Sequence, residues 1–298
     1  MFAYNAFGLR ILSELCLPEL LPGSGGPDVI INCAEVSDTL DEITSQRVCY
    51  AANARRSLFC IPGVAKYLIE EDSRISVDPA TGADIDAVRF FLLGPVMGAL
   101  LYRRGFLVLQ GSCVEVQGAG VLFLGLSGTG TSTLAAACMM QGHRVLADDF
   151  CAVSFASSDK EPEVVPGYPQ LKLRPNTVKQ INKDVESEKG LRPGLEKYAI
   201  PLGEQFCDHR LPIKQVFYLS SRGSRFSVDV LHGREGFMGL MRTTFHASII
   251  QELWGESKHF MQCIKVAEHA SMYRLEVSAF SSHFTLSQLT KLLADTLS

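Results

Sequence analysis

The chain contains no C-x-x-C pair, and its nine cysteines (Cys16, Cys33, Cys49, Cys60, Cys113, Cys138, Cys151, Cys207 and Cys263) form an odd set without regular spacing. That pattern argues against a zinc site and against a secreted disulfide framework; it reads as reduced thiols packed as small hydrophobes. Charge of one sign is also scarce, since 28 basic against 32 acidic side chains leave a net charge of -4. Such a chain offers a polyanion no field, so nucleic acid is disfavoured as a partner while a local phosphate site is not. Long apolar runs are missing too. Phe90 to Tyr102, the longest, holds 13 residues with Gly94, Pro95 and Gly98 inside it, short of the roughly 20 that cross a bilayer. Arg10, Glu14 and Glu19 interrupt the N-terminal apolar stretch where a signal peptide needs an unbroken one. The expectation is a soluble, cytoplasmic protein with no membrane partner. Apolar mass is plentiful: 47% hydrophobic against 20% charged residues suffices to offset the ordering entropy of a folded core.

No internal repeat or low-complexity tract divides the chain, so its organisation is read from shifts in local pattern. Residues 1–88 hold short apolar segments (Val29 to Ile31, Val48 to Tyr50, Leu58 to Ile61, Tyr67 to Ile69, Ile75 to Val77) between Gly, Pro, Asp and Asn clusters. This predicts a small N-terminal α+β domain, followed by a second domain over 89–298. Val88 to Arg104 suits a buried helix that Gly94-Pro95 kinks. Three β-like runs follow, Phe106 to Leu109, Cys113 to Val116 and Val121 to Leu124, the last two joined by a turn over Gln117 to Gly120. Thr133 to Gln141 predicts a helix with Gly142 at its C′ position, and Val145 to Ala147 the next strand. Strand, glycine-rich loop, helix and strand make a βαβ unit and hence a parallel pair. Further strands are expected over Gln170 to Leu173, Gln215 to Leu219 and Phe226 to Leu231. Leucines 286, 289, 292, 293 and 297, with a Thr285/Gln288 capping box, predict a closing helix.

The chemistry centres on Gly125-Leu-Ser-Gly-Thr-Gly-Thr-Ser-Thr133, which follows an apolar strand and opens a helix. Glycines there let successive N–H groups turn inward and, with the helix N-terminus, form an anion cradle. On the P-loop pattern G-x-x-x-x-G-K-[ST], Gly125 and Gly130 fit, Ser132 takes the Mg²⁺ hydroxyl position, and Thr131 stands where a lysine reaches the β- and γ-phosphates. Ser127, Gly128, Thr129, Gly130, Thr131, Ser132 and Thr133 are the candidate phosphate-binding residues. Asp148-Asp149 ends the next strand, where open α/β sheets gather ligand groups. One carboxylate, with Ser132, would hold the metal, for which Asp148 is the candidate. The other would accept the proton of an attacking hydroxyl. An ordinary tight turn and a solvated Asp pair remain the alternatives.

Leu109 to Ser154, with this loop and the run Gly142-His-Arg-Val-Leu-Ala-Asp-Asp149, resembles the C-terminal catalytic domain of HPr kinase/phosphorylase, and more closely the HPr-kinase-like serine kinases that include lasso-peptide precursor kinases. The likeness continues through Pro166 to Pro175 and Leu240 to Ser248. It implies a P-loop α/β core of the HPr-kinase/phosphoenolpyruvate-carboxykinase type behind a smaller α+β N-terminal domain. It also implies ATP and Mg²⁺ as cofactors and a peptide or protein serine as acceptor, in a chain that can form a homo-oligomer. The chain departs from the family pattern at three places. Thr131 replaces the lysine, Gln110 stands where relatives have a histidine, with no histidine before His143, and Lys172 replaces an acidic residue in Leu171-Lys-Leu-Arg174. Lys172 or Arg174 could restore positive charge at the phosphates, and Arg242 is a candidate transition-state cation. His246, between Phe245 and Ala247, is expected in the core. The competing reading is a pseudokinase or nucleotide-binding scaffold that presents a peptide or partner without phosphorylating it.

Overall fold

The computed structural model describes residues 1–155, 161–181, 190, 197–220, 227–246 and 256–276. The chain divides into two units. Met1–Phe106 with Leu191–Gly194 and His246–His259 form the first, and Leu107–Gly190, Leu195–Phe245 and Phe260–Ser298 form the second. A boundary between 88 and 89 falls inside a helix, Ile85–Phe91.

In the first unit, nine strands form one sheet: β1 (Phe2–Ala6), β2 (Leu9–Ser13), β3 (Leu21–Pro22), β4 (Val29–Cys33), β5 (Ser45–Arg47), β6 (Tyr50–Ala52), β7 (Arg56–Ile61), β8 (Ala65–Glu70) and β9 (Arg74–Pro79). Their spatial order is β3-β1-β2-β4-β9-β8-β7-β6-β5. Alternation drives it: in β8 every second residue is buried, and Tyr67 and Ile69 have no exposed surface. The expected segment Val48 to Tyr50 is in part a turn, with Val48 fully exposed.

The apolar helix starts at Asp84, whose carboxylate accepts the Asp86 N–H, and runs as α1 (Ile85–Phe91), a π turn (Leu92–Val96) and α2 (Met97–Arg103). Gly94, at φ −97° and ψ −106°, leaves the helical region beside Pro95, which has no N–H to donate. By length and composition Ile85–Arg103 could cross a membrane, yet 72% of it is buried within the protein. The Tyr67 hydroxyl donates to the Val88 carbonyl at 2.9 Å and fastens α1 to the sheet.

The second unit opens with β10 (Leu107–Val116) and β11 (Ala119–Leu124), joined by a two-residue turn in which Gln117 and Gly118 have φ of 50° and 78°. Both positive angles suit the twist of a tight hairpin. Then come α3 (Thr131–Met140), β12 (Val145–Ala147), β13 (Phe150–Ser154), β14 (Glu163–Val165), β15 (Gln170–Leu173), α4 (Pro175–Gln180), β16 (Tyr198–Pro201), β17 (Leu211–Ser220), β18 (Ser227–Leu231), α5 (Arg234–Arg242), α6 (Glu256–His269) and β19 (Ser271–Glu276). Five strands close a circuit: β10 pairs with β13, β13 with β14, β14 with β17, β17 with β11, and β11 with β10. β19 and β18 extend it from β17.

Two sequence expectations need correction here. Leu107 to Leu109 and Cys113 to Val116 belong to one strand, because Gln110-Gly111-Ser112 continues the extended path, while Phe106 precedes it. The βαβ unit is split: β11 and β12 both run antiparallel to β10, which lies between them, and the parallel neighbour of β11 is β17. A third correction concerns His246, which is exposed rather than in the core, at φ 47°. The predicted closing helix lies outside the described residues, as does Phe226.

Gly111 marks the point where β10 changes partner from β13 to β11. A Cβ there would lie 2.1 Å from the Phe123 carbonyl oxygen, which is backbone and cannot swing aside. Gly111→Ala is expected to destabilise the second unit by about 3 kcal/mol, the upper range of core overpacking. An unchanged midpoint in urea unfolding would refute this.

Candidate functional site

Helix α3 follows from its composition, since Leu134 to Met139 are all buried and three of them, Ala135 to Ala137, are alanine. Its C-terminus is closed by Gly142 at φ 92°, with the His143 N–H donating to the Cys138 carbonyl and the Gly142 N–H to that of Met139. At the other end Gly130, at φ 106°, is the N-cap. The glycine-rich loop thus delivers the chain directly into a helix start, where the first N–H groups have no partner within the helix. The loop is self-braced. Thr129 Oγ donates to the Leu126 carbonyl at 2.8 Å, and a Cβ on Gly125 would meet that Thr129 oxygen at 2.4 Å.

A cavity of about 180 Å³ opens over this loop, lined by Gln110, Gly125, Ser127, Gly128, Gly130, Thr131, Ser132, Thr133, Asp149, Lys172, Leu173, Arg174 and Lys197. Three cations and one carboxylate line it, a surplus of two positive charges within a chain that is negative overall. That local sign suits a polyanionic ligand. Arg174 is exposed, and its guanidinium lies close to Gly128 of the loop.

The two aspartates diverge. Asp149 takes φ 72°, a left-handed turn that Asp tolerates better than most residues, so strand alternation ends between β12 and β13. Asp148 turns inward beneath the loop and Asp149 outward into the cavity. Both oxygens of Asp148 are engaged: Ser112 Oγ (2.7 Å) and Ser132 Oγ (2.8 Å) donate to Oδ1, and the Lys172 backbone N–H (2.8 Å) donates to Oδ2. Burial raises its pKa, the Asp149 charge adds to that, and the three donors oppose it. For Asp149, burial also pushes upward, but the Lys172 and Lys197 charges outweigh it and hold the carboxyl below the usual range. Lys172 Nζ lies 2.7 Å from Asp149 Oδ2, and Lys197 Nζ 3.8 Å from Oδ1. Lys172 is 4% exposed, with its ammonium 5.7 Å from the centre of the Tyr168 ring. Burial disfavours its charge, but Asp149 more than restores it.

Of the residues singled out from sequence, the loop glycines, Ser127, Thr131, Ser132, Thr133, Asp149, Lys172 and Arg174 meet at this cavity. Thr129 braces the loop from within, and Asp148 lies under it rather than on its wall. Arg242 is exposed at the last turn of α5 and does not line the cavity. Sequence reasoning missed Ser112 and Lys197. Ser112 sits in the run that contains Gln110, so the strand period could have placed it on the loop side. Lys197 stands in a polar stretch with no pattern to mark it.

The residues present fit a magnesium nucleotide. Ser132 and Asp148 supply the hydroxyl and carboxylate that such an ion takes at a P-loop, and the loop and cations suit phosphate. A glycine-rich loop between β11 and α3, with an acidic pair after β12, defines a P-loop α/β protein. Residues 106–168 match a family model described as the HPr Serine kinase C-terminal domain, and this segment is similar to that domain. Over 70 residues the chain is 37% identical to the HPr kinase/phosphorylases of Thermoanaerobacter sp. and Thermoanaerobacter pseudethanolicus. The match covers 22% of this chain and 23% of each relative, so the chain spans under a quarter of the length of those curated relatives. Among solved structures it is similar to the HPr(Ser) kinase/phosphatase from Coxiella burnetii, with 10% identity, a TM-score of 0.33, and coverage of 63% of this chain and 95% of that one.

The raised pKa of Asp148 means that its protonated form favours folding. That contribution is complete below the unfolded value and fades as pH rises through the folded one. Asp148→Asn keeps the geometry, since an amide can accept from Lys172 N–H and donate to the serine oxygens. The expected result is an unfolding temperature equal to or above that of the parent, with magnesium-dependent nucleotide affinity reduced at least about tenfold. A lower unfolding temperature with nucleotide binding intact would contradict it.

Proposed function

We propose that the chain is an ATP- and Mg²⁺-dependent serine kinase that transfers a phosphoryl group to the hydroxyl of a peptide or protein. The observation that carries this reading is the division of labour between the two aspartates, one hydrogen-bonded to Ser132 under a phosphate cradle and the other ion-paired within it. Loop N–H groups and Arg174 hold the phosphates, and Ser132 with Asp148 holds the metal, which when bound neutralises phosphate charge during transfer. Asp149 orients the acceptor hydroxyl and takes its proton. Lys172 and Lys197 keep Asp149 anionic and supply part of the positive charge that Thr131 does not. A cytoplasmic setting, with the nine cysteines as free thiols, accords with this activity.

A second reading, a nucleotide-binding scaffold without transfer, draws on Thr131 at the lysine position and Gln110 in place of histidine. Calorimetric titration of ATP with and without Mg²⁺, together with mass spectrometry of candidate peptides, separates the two. The kinase reading expects Mg²⁺-dependent binding and the added mass of one phosphoryl group. Thr131→Lys is then expected to raise turnover on the order of 10²-fold, the scale of restoring one preorganised donor. ATP binding with no transfer in either protein would leave the scaffold, and no ATP binding at all would remove both readings.

A further inference from the structure

The second unit carries another cluster of metal-ligand chemistry, at the opposite end of β10 from the phosphate cavity. Glu115, Cys207 and His209 bring one ligand atom each to within 4.8 Å of one another. Cys207 is fully buried, Glu115 is 16% exposed, and His209 is half exposed. Five residues of strand separate Glu115 from Gln110 at the cavity, about 16 Å along β10. Two backbone contacts hold the parts in register. The Cys207 N–H donates to the Val145 carbonyl, and the Glu115 N–H to that of Arg144.

The spacing is close to that of a tetrahedral zinc site. Zn–S bonds of about 2.3 Å and Zn–N or Zn–O bonds of about 2.0–2.1 Å place sulfur and nitrogen ligands about 3.6 Å apart, and nitrogen and oxygen ligands about 3.3 Å apart. Here Cys207 Sγ lies 3.6 Å from His209 Nδ1 and 3.8 Å from Nε2, and Nε2 lies 3.9 Å from Glu115 Oε1. To share one ion the imidazole must close by about half an ångström toward Glu115 and turn Nε2 toward Cys207, and the exposed side chain of His209 gives it room to make that movement.

The surrounding groups orient these ligands. Arg144 places both Nε and Nη2 at 2.7 Å from Glu115 Oε2, leaving Oε1 toward the histidine. Asp208 Oδ1 lies 3.6 Å from His209 Nδ1, so the other ring nitrogen is the one that faces Glu115. Carboxylates and cations of this kind hold metal ligands in register. Sulfur, imidazole and carboxylate together select zinc over the hard cations, which prefer oxygen alone.

We propose that Glu115, Cys207 and His209 form a zinc site, with solvent in the fourth position on the His209 side. On binding, the Zn–S bond replaces the S–H bond and the thiol proton leaves to solvent. The ion ties the end of β10 to the chain that leads into β17. The site is independent of the phosphate cavity, and its success or failure leaves the kinase reading untouched.

The test uses the full chain stripped with a chelator, then titrated with Zn²⁺ by calorimetry and with Co²⁺ by absorbance. One equivalent of zinc, a rise in unfolding temperature, and a thiolate-to-cobalt charge-transfer band are expected. The band should vanish in Cys207→Ser, which conserves volume at a buried position. His209→Ala, a surface change that spares the fold, should weaken zinc by at least about tenfold, and Arg144→Ala by about tenfold. No stoichiometric zinc in the parent chain would overturn the proposal. So would a cobalt band that survives Cys207→Ser, since the metal would then sit on another cysteine.

Discussion

The second unit depends on one buried carboxylate. Asp148 draws a hydroxyl from β10, a hydroxyl from the first turn of α3, and a backbone N–H from β15 onto its two oxygens. A charge in that position is tolerable only because each of its oxygens is satisfied, and satisfying them fixes three segments that are distant in sequence. The loop over α3 is therefore held from below before any ligand arrives. Burial of a carboxylate works against its charged form, and such arrangements are kept at sites that need them.

The ion pair of Lys172 with Asp149 complements this arrangement. Two adjacent acids in a regular strand would face opposite sides; the left-handed backbone at Asp149 lets them share one locus at two depths. With Lys172 buried beside Tyr168, its ammonium stays charged and sets the local sign of a cavity in a chain whose net charge is negative. Thr131 gives the loop no charge, and the cations at the cavity come instead from Lys172, Arg174 and Lys197. Removing one member of such a pair strands the other, which makes these two residues a unit rather than two contributions.

Much of this was legible in the primary sequence, and the exceptions have physical causes. The hairpin turn at Gln117-Gly118, the helix ending at Gly142 and the break at Gly94-Pro95 are written in residues with restricted or unusual backbone freedom, so local pattern suffices. The loop and the acidic pair are equally local. Adjacency of strands is not. The run after α3 looked like the parallel neighbour of β11, but β10 is inserted between them and β17, some 90 residues on, takes that place. Lys197, Ser112 and the Glu115–Cys207–His209 cluster escaped for the same reason, since only the closed arrangement of strands brings them to their partners. Cysteine spacing tests only contiguous patterns and does not register a cluster assembled from residues far apart in the chain.

The closed circuit of β10, β13, β14, β17 and β11 has a further consequence for how the chain behaves among its own copies. Its shortest member, β14, is three residues long, yet it covers the free side of β13 and reaches Leu211 and Pro212 at the start of β17. Were that segment to peel away, the outer edge of β13 would open, a template for strand addition, whereas β17 would stay flanked by β11 and β19. Glu163–Val165 therefore covers a sheet edge, a task unrelated to phosphate and one that a survey of the pocket alone would overlook.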